Sequence, residues 1–251
     1  MWLSLVERYV RDVEVAGSNP VTSTNYNAAF DTMYHDRRLF YLRCMMITKN
    51  QYLANPCKIS SIPYWKTKTV IPSEGIKIVH DDNFDKSKYS QYSDEIYFRL
   101  FHNMEHIPLP QLPEGFLLSD ISLKEYVDHI NSCYHDIGIS ESELYAYTTR
   151  PVFHEKLWIA VRDRTNDLIV ASGIAELDHE IGEGMLEWIQ VSERYRGRGL
   201  GRFLVCELLW RMKDLASFTT VSGQCDNPTD PQRLYRKCGF TGTDVWHILR
   251  K

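Results

Sequence analysis

The sequence predicts an α/β (α+β) fold, a mixed central sheet flanked by helices, with a smaller α/β region in front of it. Three observations predict it. From Phe116 onward, short β-branched and aromatic runs alternate with longer segments of helical period. A glycine-rich turn, Arg196-Gly-Arg-Gly-Leu-Gly201, joins an apolar run to an amphipathic one. A stretch with three prolines in seven residues, Ile107-Pro-Leu-Pro-Gln-Leu-Pro113, separates this regular part from a less regular one.

Composition bounds the class. The 251 residues are 43% hydrophobic and 25% charged, ordinary for a soluble globular chain and ample for a core in one large domain or two small ones. A net charge of −4 leaves no electrostatic footprint for nucleic acid. No apolar run approaches the roughly eighteen residues of a membrane span, and the start has no signal-peptide core. A cytoplasmic protein without a membrane partner is the expectation. Six cysteines (44, 57, 133, 206, 225, 238) form no Cys-x-x-Cys pair. Several fall inside apolar patterns, so buried thiols are expected rather than disulfides or a metal.

The elements come in order along the chain. Residues 1–32 form an extension whose pattern stops short of the next segment. Gly17-Ser-Asn-Pro20 back-translates onto a sequence common in transfer-RNA genes. Two readings stand level: a wrongly extended reading frame with a start at Met33 or Met45, or a genuine N-terminal helix. A mixed region is expected over 33–110. Within it Leu39–Ile47 reads as strand or buried helix, Ile76–Val79 and Ile96–Phe101 read as strands, and Pro56, Pro63 and Pro72 cut the rest into short pieces.

The main domain is expected over 111–251. Phe116–Ser119 reads as a strand. Ser122-Leu-Lys-Glu125 is a capping box that opens a helix with Tyr126, Val127, Ile130, Cys133 and Tyr134 inward, and Ser140-Glu-Ser-Glu143 repeats the box. Leu157–Val161, Asp167–Ala175 and Gly184–Val191 come next as strands at hairpin spacing. Helix 200–214, strand Phe218–Ser222, a helix from Pro231 and strand Asp244–Leu249 complete the order. Asp230 and Pro231 supply the N-cap and first turn of that last helix, and Gly239 its stop.

The glycine turn is suited to an anion. Without Cβ atoms several backbone N–H groups can face one concavity, and the helix after it adds the positive end of its dipole. A P-loop would need Lys-Ser/Thr after its glycine, and the dinucleotide fingerprint a third glycine at 202. Neither is present. The spacing fits [QR]-x-x-G-x-[GA], read as Arg196-Gly-Arg-Gly199-Leu-Gly201 after the apolar run Leu186–Val191.

This pattern resembles the coenzyme A loop of the GNAT N-acetyltransferase superfamily. Leu234-Tyr-Arg-Lys-Cys-Gly-Phe240 resembles its second signature, and the predicted element order is the superfamily's. The resemblance covers about the last 140 residues. It implies acetyl-CoA as cosubstrate, no metal, and transfer of the acetyl group to a primary amine by direct attack in a ternary complex. The backbone at Val191, with Ile189 beside it, would face the thioester and pantetheine arm. Arg196, Gly197, Arg198, Gly199, Gly201 and Arg202 would hold the pyrophosphate, although Arg198 and Arg202 could equally be solvated. A Cβ at 199 or 201 would intrude on the ligand.

Tyr235 matches the tyrosine that protonates the departing thiolate, with packing between helix and sheet as its other reading. Asn227 resembles the asparagine that contacts the coenzyme before this helix, though it lies one residue further from the tyrosine than the pattern has it. Strand parity puts Met185, Glu187, Ile189 and Val191 on one face, which nominates Glu187 as general base. Glu183, Glu176, Asp178, His179 and His154 are its rivals. The acceptor, a small-molecule or peptide amine, is not identified, and a homodimer is left open. The region 33–110 resembles the degenerate first lobe of two-lobed members. It has no glycine-rich loop, so one coenzyme site is expected. A non-catalytic acyl-CoA sensor or interaction module on the same fold is the alternative function.

Overall fold

In a computed structural model of the protein, the structure describes residues 47–70, 75–134 and 138–251. The expectations for residues 1–46, Cys44 and Pro72 lie outside the described residues. Three short helices come first: α1 (Lys49–Ala54), α2 (Pro56–Ile59) and α3 (Tyr64–Thr67). Each starts where the sequence supplies a cap or a proline. Thr48 and Gln51 form a capping box, Asn55 caps α2 with Pro56 at its first position, and Pro63 precedes α3. Strands β1 (Ile76–His80) and β2 (Ser93–His102) come after them.

Past the prolines come β3 (Phe116–Ser119), α4 (Leu123–Cys133), α5 (Glu141–Thr148), β4 (Trp158–Asp163), β5 (Ile169–Asp178) and β6 (Glu183–Val191). The chain closes with α6 (Leu200–Met212), β7 (Phe218–Gln224), α7 (Pro231–Lys237) and β8 (Thr241–Arg250). Both predicted capping boxes are made: Ser122 and Ser140 accept from the backbones of Glu125 and Glu143, whose carboxylates return to the cap N–H groups.

Among the described residues, the eight strands lie in one sheet, ordered β1-β8-β2-β7-β6-β5-β4-β3. Here the structure differs from the expected division at 107–115. β1 and β2 have no sheet of their own; β2 sits between β7 and β8, paired antiparallel to both. Its run Tyr97-Phe-Arg-Leu100 is buried on both faces, as a central strand must be, and no local pattern says which strands will flank it.

β6 and β7 are the parallel pair, joined through α6 as a parallel crossover requires. Their ladder runs only from Glu183↔Phe218 to Leu186↔Val221. Beyond it β6 continues to Val191 and β7 to Gln224, so the two strands part from Glu187 onward and leave a slot in the middle of the sheet.

The two faces of the sheet differ. One is apolar: Leu204, Leu208 and Met212 of α6 and Tyr235 of α7 pack on Phe98, Val161, Leu177, Leu186, Ile189 and Val221. Truncating a fully buried residue such as Leu208 would cost about 2–5 kcal/mol. The opposite face is apolar under α4 and α5, where Tyr126, Ile130 and Leu144 meet Ala160, Ile174 and Trp188. Toward β7 and β2 the same face turns polar, with Glu183, Thr220, Ser222 and Arg99 all buried beneath the α1–α3 segment. Among the described residues, cysteines 57, 206 and 238 are buried free thiols, whereas Cys133 is half-buried and Cys225 exposed.

Candidate functional site

The glycine turn adopts a conformation that its glycines permit. Gly197 and Gly199 have φ of +78° and +87°, in the left-handed region. Gly199 is the N-cap of α6 and has no side chain to accept from the first-turn N–H groups, which leaves them directed at the loop's concavity. Beside this helix end lies a pocket of about 320 Å³ lined by Leu109, Leu112, Pro113, Gly199, Arg202, Phe203 and others. The proline-rich stretch thus forms the wall opposite the glycine loop.

Gly201 serves a purpose beyond the one expected. A Cβ there would come within 3.1 Å of Leu234 Cδ2 and 3.8 Å of Val191 Cγ2, so this glycine also lets α7 approach α6. The arginines also separate. Arg196 donates from Nε to the Val191 carbonyl at 3.2 Å, tying the loop to the end of β6, while the Arg198 guanidinium lies over the Tyr195 ring. Of the three, Arg202 is the one that lines the pocket.

Val191 is half-buried at the open end of the slot and Ile189 is fully buried on the α6 face. Glu187 is not on that face. In the β5–β6 ladder Ile174 pairs with Trp188 and Ala175 with Leu186, which leaves Glu187 as the extra residue of a β-bulge. The bulge breaks the period of two, so the expectation that Glu187 shares a face with Ile189 and Val191 is corrected. It lies on the face of Trp188 and Glu183, at the point where β6 leaves β7.

There Glu187 meets a partner that the sequence did not suggest. Lys66 of α3 places Nζ 3.0 Å from its Oε1, and the two side chains are 1% and 2% exposed. Glu176 of β5 is next to them, accepting from Arg150 Nη1 at 2.7 Å through Oε1, while its buried Oε2 has no hydrogen-bond partner. Burial first, and then the Glu187 carboxylate, push the Glu176 carboxyl above its ordinary range, against the pull of Lys66 and Arg150. Lys66 and Arg150 sit in stretches with no motif; only the fold brings them over the strands.

The other rivals for the base separate clearly. Glu183 is spoken for: Tyr52 Oη, Thr220 Oγ1 and the Tyr64 N–H donate to it at 2.6, 2.7 and 3.0 Å, with Arg99 Nη2 at 3.4 Å. Asp178 accepts from the Glu180 N–H in the β5–β6 turn, and His179 is exposed there. His154 is half-buried, ahead of β4, with an Nδ1 that has no partner.

Tyr235 lies in α7, which Asp230 caps and Gly239 ends as the sequence predicts. Its ring is 2% exposed and packs edge-on against Phe98 and Phe240. Burial, then Cys238 and Glu187, hold its phenol well above the ordinary value. Tyr235 belongs to the α6 face and Glu187 to the other. Asn227 is buried just before α7. Its carboxamide oxygen accepts from the Thr229 N–H and hydroxyl at 3.0 and 2.8 Å, so that oxygen shapes the turn and does not face the slot as a free acceptor.

Residues 153–242 match the family model described as an acetyltransferase (GNAT) domain. That span holds both motifs. Among solved structures, the chain is similar to a GCN5-related N-acetyltransferase from Sphaerobacter thermophilus, at 15% identity and a TM-score of 0.59, over 70% of this chain and 58% of that one. A Drosophila protein is similar at 16% identity and a TM-score of 0.50, over 64% and 52%. A tandem GNAT protein from the clavulanic acid biosynthesis pathway is similar at 11% identity and a TM-score of 0.51, over 70% and 63%. The chain therefore spans less than two thirds of the length of each of these three proteins. At such identities the likeness is one of fold: a mixed sheet with flanking helices in the GNAT arrangement.

Proposed function

We propose that this protein, whose residues 153–242 match the GNAT domain, is an acetyl-CoA-dependent N-acetyltransferase acting on a primary amine of a small molecule or peptide. The observation that carries the reading is the slot that opens between β6 and β7 at Glu187, with the Gly199-capped end of α6 at its mouth. The fit to the coenzyme rests on the same place: first-turn N–H groups without a side-chain cap suit a pyrophosphate, and Arg202 adds a charge beside them. Acetyl-CoA supplies the acetyl group already activated as a thioester.

The protein's part is positioning and proton transfer. The backbone of Ile189–Val191 offers polar groups along one edge of the slot. A phenol is protonated at neutral pH, so Tyr235 has a proton to give to the leaving thiolate. Glu187, at the apex of the slot, takes the proton of the amine once its carboxylate is released from Lys66, with Glu176 as the neighbouring carboxyl. The acceptor attacks directly.

The test is a thiol-release screen with acetyl-CoA against an amine library, run beside calorimetry of acetyl-CoA binding. The expected result is saturable binding and release of free coenzyme with at least one class of amine. Binding without release from any amine would leave a coenzyme-binding module. No binding would remove the reading.

A further inference from the structure

We propose that Lys66 is an acceptor of the protein's own acyl transfer, so that the chain acetylates itself on this residue; the inference rests on the acetyl-transfer reading above. The neighbouring lysines of the same segment are ordinary. Lys49 and Lys68 are exposed and reach the Glu180 carbonyl and carboxylate at the rim. Lys66 points inward instead, with its Nζ 3.0 Å from Glu187 Oε1 and both side chains sealed from solvent.

An amine in that position lies where an acceptor has to be. Glu187 is the first residue of β6 past the β6–β7 ladder, at the point where the two strands part. A base and an amine are therefore in direct contact, and the amine is covalently part of the chain. Holding it there removes the entropy of bringing an acceptor in.

The step balances without any further reagent. The Lys66 ammonium gives one proton to the Glu187 carboxylate, and the freed lone pair attacks the thioester carbonyl carbon. The C–N bond forms and the C–S bond breaks. Of the two protons lost by the ammonium, one ends on the thiol, passed on by Tyr235, and the other stays on the Glu187 carboxyl. The product is a neutral acetyl-lysine beside a buried carboxyl group, so the modified protein has lost an internal ion pair.

The full-length protein is incubated with acetyl-CoA and digested, and each acetylated lysine is located by mass spectrometry, with Gly199→Asp as the control that cannot hold the coenzyme. Acetyl on Lys66 is expected in the wild type and not in Gly199→Asp, whereas exposed lysines label alike in both. Tyr235→Phe should slow the Lys66 mark. A second readout needs no coenzyme: Lys66→Gln imitates the modified state and should lower the melting temperature, as should acetylation itself. Wild-type protein that binds acetyl-CoA by calorimetry and stays unmodified at Lys66 overturns the inference while leaving the proposed function. Failure to bind acetyl-CoA at all removes both. An unchanged melting temperature in Lys66→Gln would overturn the buried contact on which the inference stands.

Discussion

The loop at 196–202 and the polar face under α1–α3 are two opposite ways of building a site. The loop is continuous in sequence and works through backbone: two left-handed glycines and an uncapped helix end. The polar face is assembled from β2, β5, β6, β7 and two helices far away in the chain, α1 and α3, and it works through side chains. Glu187 reaches Lys66 across 121 residues, and Glu183 reaches Tyr52 across 131. One site is preorganised cheaply by conformation. The other buries charges whose desolvation only good pairing can offset.

The sharpest way to break the comparison is at the loop. Gly199→Asp should abolish measurable acetyl-CoA binding in calorimetry, because a carboxylate replaces the anion at the helix end. The left-handed φ adds a folding cost of about 1–3 kcal/mol. A folded variant with unchanged affinity would show that the loop does not hold the coenzyme.

The polar face should respond in stability. Lys66→Met leaves Glu187 buried without this cation and should cost about 3–5 kcal/mol in denaturant unfolding, whereas Lys66→Met with Glu187→Leu should recover most of it. If the single variant is as stable as the wild type, the pair is not buried as described. Between the two sites, Tyr235→Phe keeps the packing against Phe98 and Phe240 and removes the proton. Turnover on the true acceptor should fall by about 10²-fold with acetyl-CoA affinity unchanged. Full turnover would reduce Tyr235 to packing.

A smaller effect comes from pH. His129 is buried against Ser172 and Ser192, at 2.8 and 3.1 Å, and burial pushes its pKa down to about 4. The unfolded chain takes up a proton below its ordinary value of 6.5 while the folded one does not. The stability tied to this group is therefore complete above that pH and lost as pH falls toward 4. The carboxyls Glu176 and Glu183, raised by burial, lean the other way, so the comparison is made against His129→Gln. The wild type should lose on the order of 2–3 kcal/mol more than the variant across that range. Equal slopes would mean the imidazole is charged in the fold.

The smallest effect separates two neighbouring glycines. Gly201→Ala meets Leu234 at 3.1 Å but gains helix propensity, so stability should change by less than about 1 kcal/mol and coenzyme affinity should not move. A lost affinity here would return Gly201 to the ligand.

Legibility in the sequence divides along the same line. The caps at Ser122, Ser140 and Asp230, the strand Phe116–Ser119 and the glycine loop were legible because each is fixed by residues within a few positions of one another. The bulge at Glu187 was not, because a run such as Leu186-Glu-Trp-Ile-Gln-Val191 looks the same with or without one extra residue, and that residue reversed the face assigned to the candidate base. Nor was the insertion of β2 between β7 and β8, nor Lys66, a lysine that local reading places on the surface. In both cases partners far off in the chain decide.

Amide hydrogen exchange of the full-length protein, with and without acetyl-CoA, tests most directly that the slot and loop form one coenzyme site. Added protection is expected at the amides of 189–191 and 197–202, with α4 and α5 unchanged. Binding that protects α4, α5 or the exposed edge of β3 while leaving 189–202 untouched would contradict it.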